Sequence, residues 1–358
     1  MRRGIVDLPL HYGSAPVWLF DRMKRLVRAV VEVIVAEYGV EEVLRRISDP
    51  VWFQSLGCVA GFDWHSSGLT TTVCGALKEG VKGLESELGI FVCGGKGRAA
   101  RRTPDEITFF AERFGLDGPI LTQTSRLVAK VDSSGLQDGF QIYHHMFIGT
   151  KSGAWAIVQQ GMNPATRWAR RYHWNSEGLE SFVSEPHKAI AGEPAPAVLN
   201  MVAREAEKAR QVVVELAQEV PEKILKEVTS LKMPEHHPIL DCDICPRHLK
   251  KVLISSYEKP PADFAEFLLT PGVGPKTVRA LALVAEVIYG APLSFRDPVT
   301  YSFAHGGKDG YPYPVNRTDY DRTILFLEKG VKEAKLGYNE KLAALKRLER
   351  WSRTVGKI

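Results

Sequence analysis

The ten residues from Leu268 to Thr277, Leu-Leu-Thr-Pro-Gly-Val-Gly-Pro-Lys-Thr, constrain the fold of this chain more than any other segment. The surrounding pattern predicts a helix over 262–269, a tight turn that contains Gly272 and Gly274, and a second helix that begins at Thr277. Glycine lets the backbone of a turn come close to a phosphate, and the free N–H groups at the start of a helix attract anions. The segment therefore predicts a hairpin of two helices that grips DNA through its backbone without reading bases.

The composition is that of an ordinary soluble chain, with 44% hydrophobic and 25% charged residues over 358 positions, long enough for two or three domains. The net charge of +5 fits a nucleic-acid partner, and positive charge is concentrated over 96–102 and 167–171. Five cysteines, an odd number, do not indicate a secreted disulfide framework. Without an apolar run of about 18 residues we expect no membrane span, and we expect a cytoplasmic protein.

The spacing of apolar residues predicts a mixed first part and a helical second part. Strands are predicted over 89–93, 125–131, 140–149 and 154–160, and the apolar run 51–62 resembles a strand. Helices are predicted over 17–47, 70–83, from Thr103 onward, and over 200–219, 221–231, 247–256, 262–269, 277–289, 319–335 and 339–354. We therefore expect an α+β fold: a mixed α/β domain over 1–192, a Gly/Pro linker, and an all-helical domain over 197–358 that contains the hairpin.

The hairpin and the turn after it resemble the signature of a known enzyme family. Gly290-Ala-Pro292 follows the second predicted helix and leads to Asp297. This order is similar to that of the helix-hairpin-helix DNA glycosylases, and above all to the endonuclease III type. The resemblance implies that Lys276 attacks the sugar carbon and that Asp297 is the essential carboxylate.

These residue types suit the excision of a base from DNA. Excision passes through an oxocarbenium-like sugar, which the carboxylate of Asp297 would stabilise. Lys276 must lose a proton to act as a nucleophile, so burial or a neighbouring cation must lower its pKa. A buried pair of Asp297 and Lys276 that faces a flipped-out nucleotide would meet both needs. The alternative is a hairpin that only binds DNA for an active site elsewhere, with Lys276 on a phosphate.

Polar clusters in the first part indicate a functional pocket. One lies over 63–68, directly after the apolar run, and another over 138–145 enters a predicted strand. Alternation along that strand predicts that Gln141, Tyr143 and His145 share one face and that His144 lies on the other. Because polar side chains in a sheet cost desolvation unless they are paired, the alternative is a structural hydrogen-bond network.

The same clusters support a second function, a metal-dependent DNA nuclease. Its ligands would be Asp63, His65, Asp138 and His145, with Gln141 beside them. Such a set could hold magnesium or manganese for phosphodiester hydrolysis. The hairpin would then serve only to hold the DNA.

Further DNA contacts are predicted on the basic segments. The turn Gly94-Gly-Lys-Gly-Arg98 suits a phosphate, with Lys96 and Arg98 as cations. The segment 167–174 interleaves arginines with Trp168, Tyr172 and Trp174, which is typical of grooves that stack bases, although a packed surface has the same pattern. The complete predicted DNA-binding set is Gly272, Val273, Gly274, Thr277, Lys96, Arg98, Arg167, Arg170 and Arg171.

A last cluster, His237, Cys242, Cys245 and His248, offers four ligands that zinc accepts. Its spacing is tighter than in common zinc modules, so a polar connector between helices is the alternative.

Over its whole length the chain also resembles an uncharacterised prokaryotic family, domain of unknown function 763. The segments that carry this resemblance are 61–68, 137–139, 143–145, 159–163 and 304–310. The resemblance implies no activity. Three hypotheses therefore stand, all with DNA as the partner: a base-excision glycosylase and lyase, a metal-dependent nuclease, and a non-enzymatic accessory protein that binds DNA.

Overall fold

The computed structural model describes residues 8, 15–61, 67–195, 198–230, 246–300, 325, 328–333 and 337–355. The fold is mixed α/β, with many helices around one antiparallel sheet. The described helices are α1 Val17–Tyr38, α2 Val40–Ser48, α3 Pro50–Ala60, α4 Ser67–Val81, α5 Glu85–Leu88, α6 Arg98–Arg101, α7 Thr103–Phe114, α8 Gly118–Lys130, α9 Glu207–Gln218, α10 Pro221–Ser230, α11 Pro246–Glu258, α12 Phe264–Leu269, α13 Pro275–Val287 and α14 Tyr338–Val355. The strands are β1 Ile90–Lys96, β2 Leu136–Gln137, β3 Gln141–Thr150, β4 Trp155–Asn163, β5 Trp168–Asn175, β6 Ala189–Ala191 and β7 Leu199–Asn200.

Five strands form the central sheet in the order β1-β3-β4-β5-β6, and every neighbouring pair is antiparallel. The register places His145 opposite Gln159 and Gln159 opposite Tyr172. Directly opposite residues of antiparallel strands project on the same face. These three side chains therefore lie in one row across the middle of the sheet.

Each face of the sheet is covered by its own set of helices. The front face, which carries Val92, Met146 and Val158, packs against the apolar sides of α1 to α4. The hairpin face, which carries Phe147, Ile157 and Trp174, belongs to the apolar cluster that contains α9, α12 and α13. Because both faces are buried, polar side chains in the middle strands have to find partners inside the protein.

Residues on both sides of the predicted linker share these cores. The hairpin-face cluster joins residues of the sheet to residues of α9 to α13. At the far end of the chain, α14 packs on α3, where Arg347 Nε donates to the carbonyl of Val59 at 2.6 Å. Among the helices that the structure describes, none is long and apolar enough to cross a membrane.

Two predicted strands are helices. The run 51–62 belongs to α3 up to Ala60, because Asp49 caps the backbone N–H groups of Val51 and Trp52 and Pro50 fits the first turn. The run 125–131 lies in α8, which Asp117 caps through the N–H of Ile120. The buried residues of α8 recur at helical spacing rather than at every second position.

Candidate functional site

The predicted hairpin segment forms a helix, a turn and a second helix. After α12 the chain turns at Gly272, whose φ of +86° favours glycine, and the N–H of Val273 donates to the carbonyl of Thr270 at 3.1 Å. Gly274 is the N-cap of α13 in an extended conformation, with φ −150° and ψ −176°. Because glycine has no side chain, the first N–H groups of α13 have no side-chain cap. They are available to an anion.

The inner side of this turn rests on the segment that follows α8. The amine of Lys130 donates to the carbonyl of Val273. Gln137 donates from Nε2 to the carbonyl of Pro275 at 3.0 Å and accepts at Oε1 from Arg279 Nε at 3.0 Å. On another side, His248 Nε2 lies 2.9 Å from the carbonyl oxygen of Gly272. Protein donors thus satisfy the carbonyl groups of the turn.

Between α8 and β2 the chain forms a π-helical turn, Val131–Gly135, which contains the buried Asp132. Asp132 Oδ2 accepts from Trp174 Nε1 at 2.9 Å and from the amide of Gln159. Asp132 Oδ1 lies 2.5 Å from His187 Nε2. π-Helical turns within helices are frequent at functional sites, which makes this buried carboxylate a candidate.

The row continues from Gln159 to the edge of α8. Gln159 Oε1 lies 2.8 Å from His145 Nδ1, and His145 Nε2 lies 2.8 Å from Ser125 Oγ. Burial lowers the pKa of His145, and the hydrogen bond with Gln159 and the charge of Asp132 oppose that shift. A continuous chain of hydrogen bonds therefore runs from Ser125 to His187 across the hairpin face.

A second buried cluster on the hairpin face is centred on Arg170. Its guanidinium donates to Asp138 Oδ2 at 2.8 Å and to Asp297 Oδ2 at 2.7 Å, and Tyr172 also donates to Asp138, at 2.7 Å. Burial raises the pKa of Asp138, whereas the charge of Arg170 and the hydroxyl of Tyr172 act in the opposite direction. Burial lowers the pKa of Arg170, but the charges of Asp138, Tyr172 and Asp297 outweigh burial and raise it above its usual range.

A small polar pocket connects these clusters to the surface. Its volume is about 160 Å³. The residues that line it include His187, Asn200, Arg296 and Asp297. His187, at the end of the hydrogen-bond chain of Asp132, and Asp297, which pairs with Arg170, therefore line the same pocket.

The structure does not bring Lys276 and Asp297 together. Lys276 is exposed in the first turn of α13. Asp297 is only 14% exposed and is held by Arg170 and by the N–H groups of Ala195, at 2.5 Å, and Val299, at 3.0 Å. The expected buried Asp–Lys pair is therefore wrong for this conformation, because the carboxylate already has a buried cationic partner.

The residues predicted for a metal-dependent nuclease lie in different places. Asp138 and His145 are engaged in the two clusters above, and Gln141 is exposed at the start of β3. Asp63 and His65 lie outside the described residues. Within the described part of the chain, no group of three or more His, Cys, Asp or Glu residues is placed to hold a metal ion.

The predicted sharing of faces along β3 is correct for the two histidines and wrong for Gln141 and Tyr143, which lie on the front face. His145 bonds Gln159 on the hairpin face, whereas His144 is opposite Gln160 on the front face. The register shifts between Ile142 and His144. Such a bulge changes the alternation, and Tyr143 therefore bonds Gln160.

The predicted DNA-binding cations divide into exposed and buried groups. Lys96 and Arg98 are exposed near the end of β1, and Arg167 is exposed in the turn before β5 with φ +61°. Arg170 and Arg171, by contrast, are fully buried in β5. Placing these two in a DNA groove was wrong, since the segment is a strand inside the protein and its aromatic residues Tyr172 and Trp174 are core residues.

The remaining hairpin and zinc predictions have these outcomes. Gly272 and Gly274 lie in the turn between α12 and α13, whereas the side chains of Val273 and Thr277 are buried. Of the zinc set, His237, Cys242 and Cys245 lie outside the described residues. His248 is described, and its Nε2 contacts the carbonyl oxygen of Gly272 rather than a metal.

Sequence reasoning missed three residues of this region: Lys130, Asp132 and His187. The segment 132–135, Asp-Ser-Ser-Gly, directly follows an apolar run and indicates a break in regular structure. That signal could have drawn attention to Asp132. His187 is 55 positions away along the chain, so only the fold brings it to Asp132.

Comparison with known proteins gives the family and no activity. A family model described as "Protein of unknown function (DUF763)" matches residues 4–315. The chain belongs to this family. No curated protein and no solved structure matches the chain. The resemblance of the hairpin to the glycosylases therefore has no support from these comparisons.

Proposed function

We propose that this protein is a DNA base-excision enzyme that holds the DNA backbone with the hairpin formed by α12 and α13. The hairpin would belong to a helical helix-hairpin-helix unit formed by the second part of the chain. The observation that carries the proposal is the turn itself. Gly272 adopts a left-handed conformation, and α13 begins at Gly274 without a side-chain cap. This geometry presents backbone N–H groups to a phosphate, and the exposed Lys276 adds a positive charge at the same helix end.

The surroundings of the hairpin favour an enzyme over a passive DNA grip. The turn rests on the segment after α8, and that segment carries the buried Asp132 chain and approaches the polar pocket. Buried carboxylates and histidines beside an opening are typical of sites where protons are moved. Asp297 lines that pocket and forms an ion pair with Arg170.

A metal-dependent nuclease is less well supported by the described residues. Asp138 already accepts from Arg170 and Tyr172, and His145 bonds through both ring nitrogens. A metal would have to displace these buried partners, which costs their hydrogen bonds.

The experiment is incubation of the purified protein with labelled duplexes that contain single damaged bases or one abasic site, with and without a chelator. We expect base release or strand cleavage at the lesion that the chelator leaves unchanged. Cleavage that the chelator abolishes would instead identify a nuclease. Salt-sensitive binding with intact DNA would identify an accessory protein.

The contribution of the hairpin is tested with a matched pair of glycine variants. Gly272 and Gly83 have nearly the same φ, +86° and +84°, but Gly83 lies in the turn after α4. Either substitution by alanine strains the backbone by about 1–2 kcal/mol. At position 272 the new Cβ also lies 3.1 Å from Val252 Cγ2, whereas at position 83 it meets no atom within 4 Å, so the folded fraction of both variants is measured first. Only Gly272→Ala is expected to weaken DNA binding, by about tenfold. Equal affinities of the two variants would show that the hairpin does not hold DNA.

A further inference from the structure

We propose that Lys130, rather than Lys276, is the amine that bonds to the sugar carbon C1′ of DNA. The inference rests on the proposed base-excision function and names the nucleophile of that site. Lys130 is the last residue of α8 and immediately precedes the π-helical turn. Although it is 143 positions away from Val273, its amine contacts the carbonyl group of that hairpin residue. An amine is thereby held at the turn that binds the DNA backbone.

The environment of Lys130 suits a nucleophile. The side chain is half-buried, so its amine is partly removed from water. Burial lowers the pKa of Lys130, and no carboxylate of the described residues is a cause of the shift. A lysine that lies in a desolvated position loses its proton more readily and then carries a free electron pair.

The neighbouring contacts fix this amine relative to the hairpin. One residue of the segment after α8 holds the start of α13, since Gln137 bonds both the carbonyl of Pro275 and the side chain of Arg279. On the other side, Asp132 anchors the π-helical turn to Trp174 in the sheet. Lys130 therefore projects from a segment that is attached at both ends. Lys276, by comparison, extends from an exposed helix end.

The substrate class is a deoxyribose in DNA that has lost its base and has an aldehyde at C1′. The neutral amine of Lys130 forms a bond to C1′ as the π bond of the carbonyl breaks, and the proton that the nitrogen loses moves to the carbonyl oxygen. A proton from the solvent converts this hydroxyl group to water, and its departure gives a protonated imine between Lys130 and the sugar. A proton leaves C2′, and the bond between C3′ and oxygen breaks with its electron pair on the departing phosphate. Water finally hydrolyses the imine and releases the amine.

The test is reductive trapping on abasic-site DNA with borohydride, whose hydride adds to C1′ of the imine and makes the bond permanent. The adduct is digested with protease, and mass spectrometry locates the modified lysine in the wild-type protein. Lys130→Arg retains a cation that can donate to Val273 but is not a nucleophile under these conditions. Lys82→Arg is the control, because Lys82 is 73% exposed and lies in the turn directly after α4.

We expect the adduct on Lys130, its loss in Lys130→Arg with DNA affinity within about twofold of wild type, and full trapping in Lys82→Arg. An adduct on Lys276, or trapping undiminished in Lys130→Arg, overturns this inference and leaves the proposed function standing. If the wild type releases the base from damaged-base duplexes but gives no adduct on abasic-site DNA, the inference is also overturned, since the enzyme would then use no amine. If the wild type gives neither base release nor an adduct, the proposed function is overturned as well.

Discussion

The two faces of the central sheet offer different partners to the same types of buried side chain. Arg170 and Arg171 are adjacent in β5 and both fully buried, but they point to opposite faces. On the hairpin face, Arg170 binds two carboxylates, Asp138 and Asp297. On the front face, the partners of Arg171 among the described residues are the neutral groups of His173, Thr70 and Gln54. Burial accordingly lowers the pKa of Arg171 to about 9.

The adjacent histidines of β3 show the same difference. His145 on the hairpin face has partners at both ring nitrogens. For His144 on the front face, neither ring nitrogen has a hydrogen-bond partner among the described residues. Burial lowers the pKa of His144 to about 3, and the charges of His145 and Lys96 add to the effect. Among the described residues, the ion pairs of Arg170 therefore lie on the face that carries the hairpin, whereas Arg171 and His144 on the front face have no carboxylate partner.

This contrast indicates which buried polar residues of the sheet hold a segment of the chain in position. A fully paired network gives a segment a unique position, whereas an unpaired buried group only costs free energy. The paired residues of the hairpin face hold the π-helical turn and the segment around Asp297, and these border the hairpin and the pocket. We therefore place the function on this face.

The largest expected effect comes from Arg170→Met, compared with Arg171→Met. Removing Arg170 leaves two buried carboxylates without their cation, which costs about 3–5 kcal/mol of unfolding free energy. Removing Arg171 takes away a buried cation that has no carboxylate partner among the described residues, so the loss should be at least about 2 kcal/mol smaller. Urea denaturation followed by circular dichroism measures both. Equal losses would show that the two faces do not differ.

An intermediate effect is expected for the histidines. His145→Leu leaves Ser125 and Gln159 without their common partner, which costs about 2 kcal/mol. His144→Leu removes unpaired nitrogens from an apolar place and should change the unfolding free energy by less than about 1 kcal/mol. The same denaturation experiment compares the two variants. A larger loss for His144→Leu than for His145→Leu would break the comparison.

The smallest expected effect is a change of the unfolding free energy with pH that arises from the titration of Arg171. Its pKa is about 9 in the folded protein, well below the ordinary value of an arginine, so between these two values the unfolded chain binds more protons than the folded one. Stability contributed by this group is therefore lost as the pH falls through about 9 and gained as the pH rises above it. From pH 8 to pH 10, the unfolding free energy of wild type minus that of Arg171→Met should rise by about 1 kcal/mol. A flat or falling difference would mean that Arg171 has a counter-ion.

Local patterns were sufficient to predict several elements of this fold. The hairpin followed from Gly272 and the apolar spacing around it, and β3 and β4 followed from their apolar runs and the turn between them. β5 was missed because both of its faces are buried, so its arginines and aromatic residues do not alternate in the usual way. α8 was mistaken for a strand because its cap at Asp117 lies outside the apolar run.

The candidate site was less accessible to sequence reasoning. The predicted nucleophile came from the hairpin alone, whereas the amine that touches the turn comes from α8. Likewise, Asp297 was predicted as a carboxylate, but its buried partner Arg170 was assigned to the surface. Contacts between residues more than 100 positions apart leave no periodic pattern in a single sequence, and only the packed structure shows them.

We propose that the hairpin and the hairpin face of the sheet form one base-excision site. The most direct measurement is the amount of base released or strand cut at a single lesion, in the presence of a chelator, by wild type, Gly272→Ala and Gly83→Ala. The account predicts lesion-specific product from wild type and Gly83→Ala, and about tenfold less from Gly272→Ala at limiting protein. Intact DNA in all three reactions, with DNA bound, would contradict it.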